Sequence, residues 1–100
     1  MQLGILVNTK DHLTAVTGLV RSASAKGHVV TLFIMDAGTK LLEDAQFTTL
    51  ADLPGVAMSY CDHSAQELEV NTEELAPVIA RSSQYSNAAM NHHADRVIVL

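Results

Sequence analysis

Cysteine is almost missing from this chain: 100 residues hold one, Cys61. One cysteine forms no intrachain disulfide, so the fold rests on its core, and a reducing, cytoplasmic compartment is the simplest context. Positive charge is scarce as well. Six Lys and Arg face eleven Asp and Glu, for a formal net charge of −5 with His neutral. The six are scattered, without the basic stripe that a nucleic-acid binder presents, so nucleic acid is not an expected partner. Long apolar runs are lacking too, and nothing approaches the ~20 residues of a membrane-spanning helix. The opening MQLGILVNTK has no basic segment ahead of its apolar residues and turns polar after Val7. That marks a first strand, not a secretory signal. Gly4, Gly18, Gly38 and Gly55 are spread out and form no phosphate-cradling loop. No repeat, low-complexity tract or linker divides the chain, so a single domain over residues 1–100 is expected.

What the chain has instead is apolar residues, 48% of the total. A chain of this length buries roughly 60–70% of its unfolded surface, enough for one core without metal or disulfide. The apolar residues fall into short, nearly continuous runs that read as strands covered on both faces. These are Gln2–Asn8, Val29–Met35, Val56–Tyr60, Val78–Ala80 and Arg96–Leu100. Between the first two, Leu13, Val16, Val20 and Ala23 recur at helical spacing from His12 to Lys26, and Lys26-Gly27 stops that helix. Leu41, Leu42 and Ala45 mark a short helix, Phe47, Leu50 and Ala51 another turn or two, and Leu53-Pro54-Gly55 a break. Ser64-Ala65-Gln66-Glu67 has the S-x-x-E form of a capping box, so a third helix is expected to begin at Ser64. Thr72-Glu73-Glu74 reads as a further N-cap with an acidic first turn. Ser82 or Ser83 is expected to cap the last helix. Strands alternating with helices predict an α/β fold with a parallel sheet and helices on both faces.

In such a sheet, ligands collect beyond the carboxyl ends of the strands. The residues leaving those ends are Asn8 and Thr9, Met35 and Asp36, Cys61 to His63, and Arg81 and Ser82. A strand-end pocket of Thr9, Asp36, His63, Ser64 and Arg81 around Cys61 is therefore expected. Cys61 also precedes a helix N-terminus, where backbone N–H groups and the helix dipole favour an anion. A thiol of ordinary pKa about 8.5 is lowered by one to several units in such a place, with Arg81 and Lys40 as further contributors. The competing expectation is a small buried hydrophobe, the commonest state of a lone cysteine.

Cys61, His63, His12 and Asp36 have the composition of a zinc or copper site, but only Cys61-x-His63 has close ligand spacing, and no metal or other cofactor is expected. His28 belongs to the opposite edge. His92 and His93 end the last helix, some 15 Å from the Cys61 edge. Asp36 is expected to cap the helix after it or to close its turn.

Cys61-x-x-Ser64-Ala65 after an apolar strand resembles the DsrE/DsrF-like family (YchN/TusD-like, sulfur-relay proteins). The long helix closed by Lys26-Gly27-His28, the strand-end Met35-Asp36 followed by Leu41-Leu42, and the closing Ala94-Asp95-Arg96-Val97-Ile98 carry the same resemblance over nearly the whole chain. The resemblance implies a three-layer α/β/α fold with a mostly parallel five-stranded sheet, assembled as a homotrimer or homohexamer. It also implies a sulfur carrier, or sulfurtransferase-like protein, in which the cysteine at Cys61 holds a persulfide and hands sulfane sulfur to a partner. The implied partners are a sulfur donor protein, an acceptor protein and further copies of this chain. The alternative on the same fold is a non-catalytic oligomeric binding or regulatory protein, with a small ligand or metal in the strand-end pocket. One thiolate is enough for persulfide carriage, whereas a two-cysteine peroxidase or thioredoxin-type oxidoreductase needs a second cysteine. The last helix places Tyr85, Ala88, Ala89 and His92 on one face, which is expected at a subunit contact.

Overall fold

In the computed structural model, which describes every residue from Met1 to Leu100, five strands stand in the order β4-β3-β2-β1-β5. They are β1 (Gln2–Val7), β2 (Val29–Ile34), β3 (Val56–Cys61), β4 (Ile79–Ser82) and β5 (Arg96–Val99). Every neighbouring pair is parallel. The helices are α1 (Leu13–Ala25), α2 (Ala45–Thr48), α3 (Asp62–Glu67) and α4 (Gln84–His93), with 3₁₀ segments Asp36–Glu43 and Thr49–Asp52 on either side of α2. This is the expected α/β class with a five-stranded parallel sheet.

Side chains alternate along each strand, so the sheet has two faces. On the first, Leu3, Ile5 and Val7 of β1, Val30, Leu32 and Ile34 of β2, and Met58 and Tyr60 of β3 form one buried cluster with residues of α1, α2 and α3. Val16, Val20 and Phe47 are the helix side chains fully enclosed there. Each aliphatic or aromatic side chain fully buried this way stabilises the fold by roughly 1.5–3 kcal/mol, so this face carries most of the core. On the second face Phe33, Cys61 and Met90 form a smaller cluster, edged by Leu6 and Met35. Only α4 covers that face. The cause is topological. The strands β1 to β4 are laid down outward in one direction, and the return from β4 to β5 keeps the same hand only by crossing the opposite face. The apolar runs predict burial on both faces, yet a single helix leaves Val29, Val97 and Val99 exposed.

Local signals explain several of the boundaries. Helix α1 buries Val16, Val20 and Ala23. It ends where Gly27 takes φ +80, with Gly27 N–H donating to Ser24 and His28 N–H to Ala23. That is the Schellman arrangement expected at Lys26-Gly27. Elsewhere tertiary pairing overrides the local reading. Strand β4 runs Ile79–Ser82, not Val78–Ala80, because Arg81 and Ser82 pair in register with Tyr60 and Cys61. The segment after α3 makes turns, not a helix capped by Thr72. There the Asn71 N–H donates to the Glu43 carboxylate at 3.0 Å, and the Asn71 side chain accepts from Glu73 N–H at 3.1 Å. Of the two roles expected for it, Asp36 does not cap the helix but closes its turn. It takes φ 48 as the first residue of its 3₁₀ segment, and its carbonyl accepts the Thr39 hydroxyl at 2.7 Å.

Candidate functional site: a thiol cleft at the switch point

The chain leaves β3 toward α3 on the first face and leaves the adjacent β4 toward α4 on the second. Neighbouring strands whose exits diverge open a crevice between them, and ligands of open α/β sheets bind at that switch point. Here the crevice is a cleft of about 770 Å³, lined by Met35 and Asp36 after β2, Cys61 to Ser64 after β3, and Ser82 to Tyr85 after β4. Two smaller cavities lie elsewhere. One of about 470 Å³ sits between α2 and the 71–79 segment. Another of about 270 Å³ lies beside α4 at Ser59 and His93.

Alternation along β3 decides which way the thiol points. Met58 and Tyr60 enter the main core, so Cys61 turns to the second face, where it packs with Phe33 and Met90. Cys61 is 5% exposed and lies at the floor of the cleft. It is also the N-cap of α3, with φ −78 and ψ 110. The capping box expected at Ser64 is thus displaced by three residues. Ser64 falls at the third helical position, is 8% exposed, and presents its hydroxyl to the thiol in place of capping.

Burial works against ionisation of Cys61, but it is outweighed. The Ser64 hydroxyl, the Ser64 N–H, the Gln84 carboxamide and the His63 N–H all favour the anion, and the thiol titrates below its ordinary value. No side-chain hydrogen bond caps the start of α3. The donors around it suit a thiolate. Helix α3 has only six residues, so individual N–H groups and side chains carry the effect more than a long helix dipole does.

The expected pocket residues have separate fates. Asp36, His63 and Ser64 line the cleft with Cys61. His63 is turned to solvent and pairs with Glu67 at 3.2 Å. Arg81 lies outside the lining, and its guanidinium pairs with Asp62 at 3.0 Å, so it is not among the groups that lower the thiol. Thr9 is two strands away from β3, where its hydroxyl donates to the Leu100 carbonyl at 2.8 Å. Gln84 and Tyr85 were not expected at this cleft. The signal that finds them is strand order: once β4 neighbours β3, the first turn of α4 must start beside Cys61. No group of three His, Cys, Asp or Glu side chains is placed to hold a metal ion. His28 sits at the opposite edge with the N-terminal amine at 3.2 Å, and the His92 and His93 rings contact each other edge-on at 5.0 Å.

A wholly parallel sheet, helices on both faces and a thiol at the switch point define a small α/β protein with a cleft at its strand ends. The chain belongs to the DsrE/DsrF-like family, whose pattern matches residues 1–100, a family associated with sulfur relay. Its fold is similar to that of the YchN protein of E. coli, at a TM-score of 0.71 and 15% identity, with 100% of both chains covered. It is also similar to MTH1491 of Methanobacterium thermoautotrophicum, a protein of unknown function, at a TM-score of 0.78 and 13% identity over 99% of this chain and 98% of that one. A third similar structure is BT1422 of Bacteroides thetaiotaomicron, with a TM-score of 0.73 and 13% identity over 99% and 94% of the two chains. No curated protein matches the chain closely enough to count as a relative. No helix is long and apolar enough to cross a membrane.

Proposed function

We propose that this protein carries sulfane sulfur as a persulfide on Cys61 and hands it to an acceptor protein. The observation that carries this reading is the position of Cys61: the thiol lies at the floor of the switch-point cleft, with donors that favour its anion. In the loading step the Cys61 thiolate attacks the sulfane sulfur of a donor persulfide. A new S–S bond forms at Cys61, the donor's S–S bond breaks, and the donor leaves as a thiolate. In the unloading step an acceptor thiolate attacks the outer sulfur, and Cys61 leaves as a thiolate. Nothing is oxidised or reduced overall, and no second cysteine is needed.

The depth of Cys61 suits this chemistry. In a residue only 5% exposed the sulfur is held back from bulk oxidants. The second sulfur stands about 2.05 Å beyond it, further out in the cleft, where an acceptor meets it first. Asp36, His63 and Ser64 border the bound sulfur, with Thr9 and Arg81 further along the same carboxyl edge. A free thiol fits a reducing, cytoplasmic setting, and a homotrimer or homohexamer would cover the apolar residues left open on the second face. The residue range 1–100 acts as one domain in this reading.

One observation favours a second reading. Cys61 packs against Phe33 and Met90 in an apolar cluster, as a purely structural cysteine would. On that reading the protein is a non-catalytic oligomeric binding or regulatory protein that uses the same cleft for a small ligand or metal. Mass spectrometry after incubation with a sulfane donor separates the two. Carriage gives a mass gain of one sulfur, removed by reductant and absent in Cys61→Ser. No gain under conditions where a donor loads other thiols would overturn it.

A further inference from the structure

Three carboxamides on α4, those of Gln84, Asn87 and Asn91, stand at i, i+3 and i+7 and so share one side of the helix. They are hydrogen-bonded in series, and the direction of the series follows from one atom. The Asn87 backbone oxygen can only accept, and the Asn91 Nδ2 lies 2.8 Å from it, so that end of Asn91 is the donor. The same Nδ2 donates to the Asn87 side-chain oxygen at 2.9 Å. Asn87 therefore has its Nδ2 left to donate, and it meets Gln84 Oε1 at 3.1 Å. With its oxygen engaged, Gln84 turns its Nε2 edge to sulfur, 3.6 Å from Met35 Sδ. Met35, Gln84 and Cys61 line the same cleft. A feature independent of this ladder also points into the cleft. The Ser64 hydroxyl belongs to a residue 8% exposed that lines the cleft and favours the Cys61 anion.

We propose that Asn87 and Asn91 are positioning residues that hold the Gln84 carboxamide with its N–H edge toward Cys61, so that the cleft receives an anionic sulfur: the Cys61 thiolate and, after loading, the outer sulfur of a persulfide anion. The second half rests on the carrier reading; the first does not. Hydrogen bonds from N–H groups to an anion are stronger than those to a neutral acceptor, and donors in series polarise one another. A Gln84 free to turn over would present its oxygen to the thiolate for part of the time and repel it. The other titratable groups at the cleft are Asp36 from the 3₁₀ segment, Asp62 and His63 from α3, and Tyr85 from α4. Asp62 is held by Arg81 and His63 by Glu67.

The test is a double-mutant cycle read by the pH profile of Cys61 alkylation, on the full chain, with helix content checked by circular dichroism. Asn87→Ala sits on a partly exposed helix position, where alanine favours the helix. It slows alkylation below the midpoint by about threefold, the size of one partly exposed hydrogen bond, and Asn91→Ala does the same to a smaller degree. In a Gln84→Ala background the Asn87→Ala change has no effect, because the residue acts only through Gln84. An unchanged profile in Asn87→Ala, or an equal effect in both backgrounds, overturns the proposal. Sulfur uptake is measured separately. A Cys61 that keeps its ladder-dependent profile but takes up no sulfane sulfur removes the carrier reading and leaves the positioning role standing.

Discussion

Cys61 and Ser82 are register partners at the carboxyl ends of β3 and β4, and the chain leaves the two residues for opposite faces of the sheet. Their pairing sets the walls of the cleft. The Cys61 side brings Ser64 and the first amides of α3, and the Ser82 side brings Gln84 and the start of α4. Neither wall alone surrounds the sulfur with donors.

The Cys61 thiol titrates below its ordinary value, through Ser64, Gln84 and the His63 and Ser64 amides working against burial. Alkylation rate against pH is expected to show a midpoint below that of free cysteine, about 8.5. A midpoint at or above that value would show that burial wins. The same shift is linked to stability. A group with a lowered folded pKa stabilises the fold fully above its unfolded pKa, and the contribution is lost as pH falls through the folded value. The stability of the protein relative to Cys61→Ala should therefore rise with pH up to about 8.5 and level off beyond it. Urea denaturation at a series of pH values reads this directly.

Ser64→Ala removes the donor that most lowers the thiol. At a pH below the midpoint, alkylation is expected to slow by roughly three- to tenfold, the size of one intramolecular hydrogen bond of about 0.5–1.5 kcal/mol. Arg81→Ala should change the rate far less, because the guanidinium is engaged by Asp62 at 3.0 Å. An Arg81→Ala effect equal to that of Ser64→Ala would show that the ion pair opens toward the sulfur.

Two glycines are expected to respond in opposite directions to the same substitution. At Gly38 an added Cβ would overlap the Val7 backbone carbonyl, which cannot move aside. Gly38→Ala should cost more than about 3 kcal/mol by forcing the 3₁₀ segment off the end of β1. At Gly18, inside α1, an added Cβ meets nothing within 4 Å. Gly18→Ala should stabilise by roughly 0.5–1 kcal/mol through helix propensity and a less flexible unfolded chain. Thermal or urea unfolding of both variants checks the signs.

Self-association is expected to cover what the second face leaves open. Val99 is 56% exposed and Tyr85 is 81% exposed, and α4 is the only helix there. A homotrimer or homohexamer is expected by light scattering at micromolar concentration. A persistent species of 10.7 kDa would show that this face is simply solvated. Val99→Asp, which puts a charge on the open face, is expected to shift the assembly toward smaller species without unfolding the domain.

The glutamate at the end of α3 offers a further check on local geometry. Glu69 has φ 55, and the Val70 N–H donates to the Ala65 carbonyl at 2.9 Å. This is the closing bond of a Schellman motif with a side-chain-bearing residue where glycine is favoured. Glu69→Gly is expected to be neutral or stabilising by a few tenths of a kcal/mol, up to about 1 kcal/mol. Marked destabilisation would mean that the glutamate side chain holds a contact.

The sequence by itself determined the elements that local physics controls. Short apolar runs become strands, the Leu13–Ala23 spacing becomes a helix, Lys26-Gly27 ends it, and alternation of strand with helix forces a parallel sheet. These patterns have periods of two and 3.6 residues, so they are complete within a few neighbours. From them Cys61 already stood at a carboxyl edge. Which strand stands beside which is a different matter, because it depends on how crossovers stack over the whole chain. Strand order put β4 against β3 and so brought Gln84 to Cys61. It put β5 against β1 and so tied Thr9 to Leu100. Pairing of Arg81 and Ser82 with Tyr60 and Cys61 extended β4 past the residues that read as a strand. With Cys61 as N-cap, the Ser64 hydroxyl that a local capping rule assigns to backbone turns to the thiol. The thiol, its edge and the Ser64 and His63 donors beside it belong to the local chain; the Gln84 donor and the second wall of the cleft are gathered by contacts between elements distant in sequence.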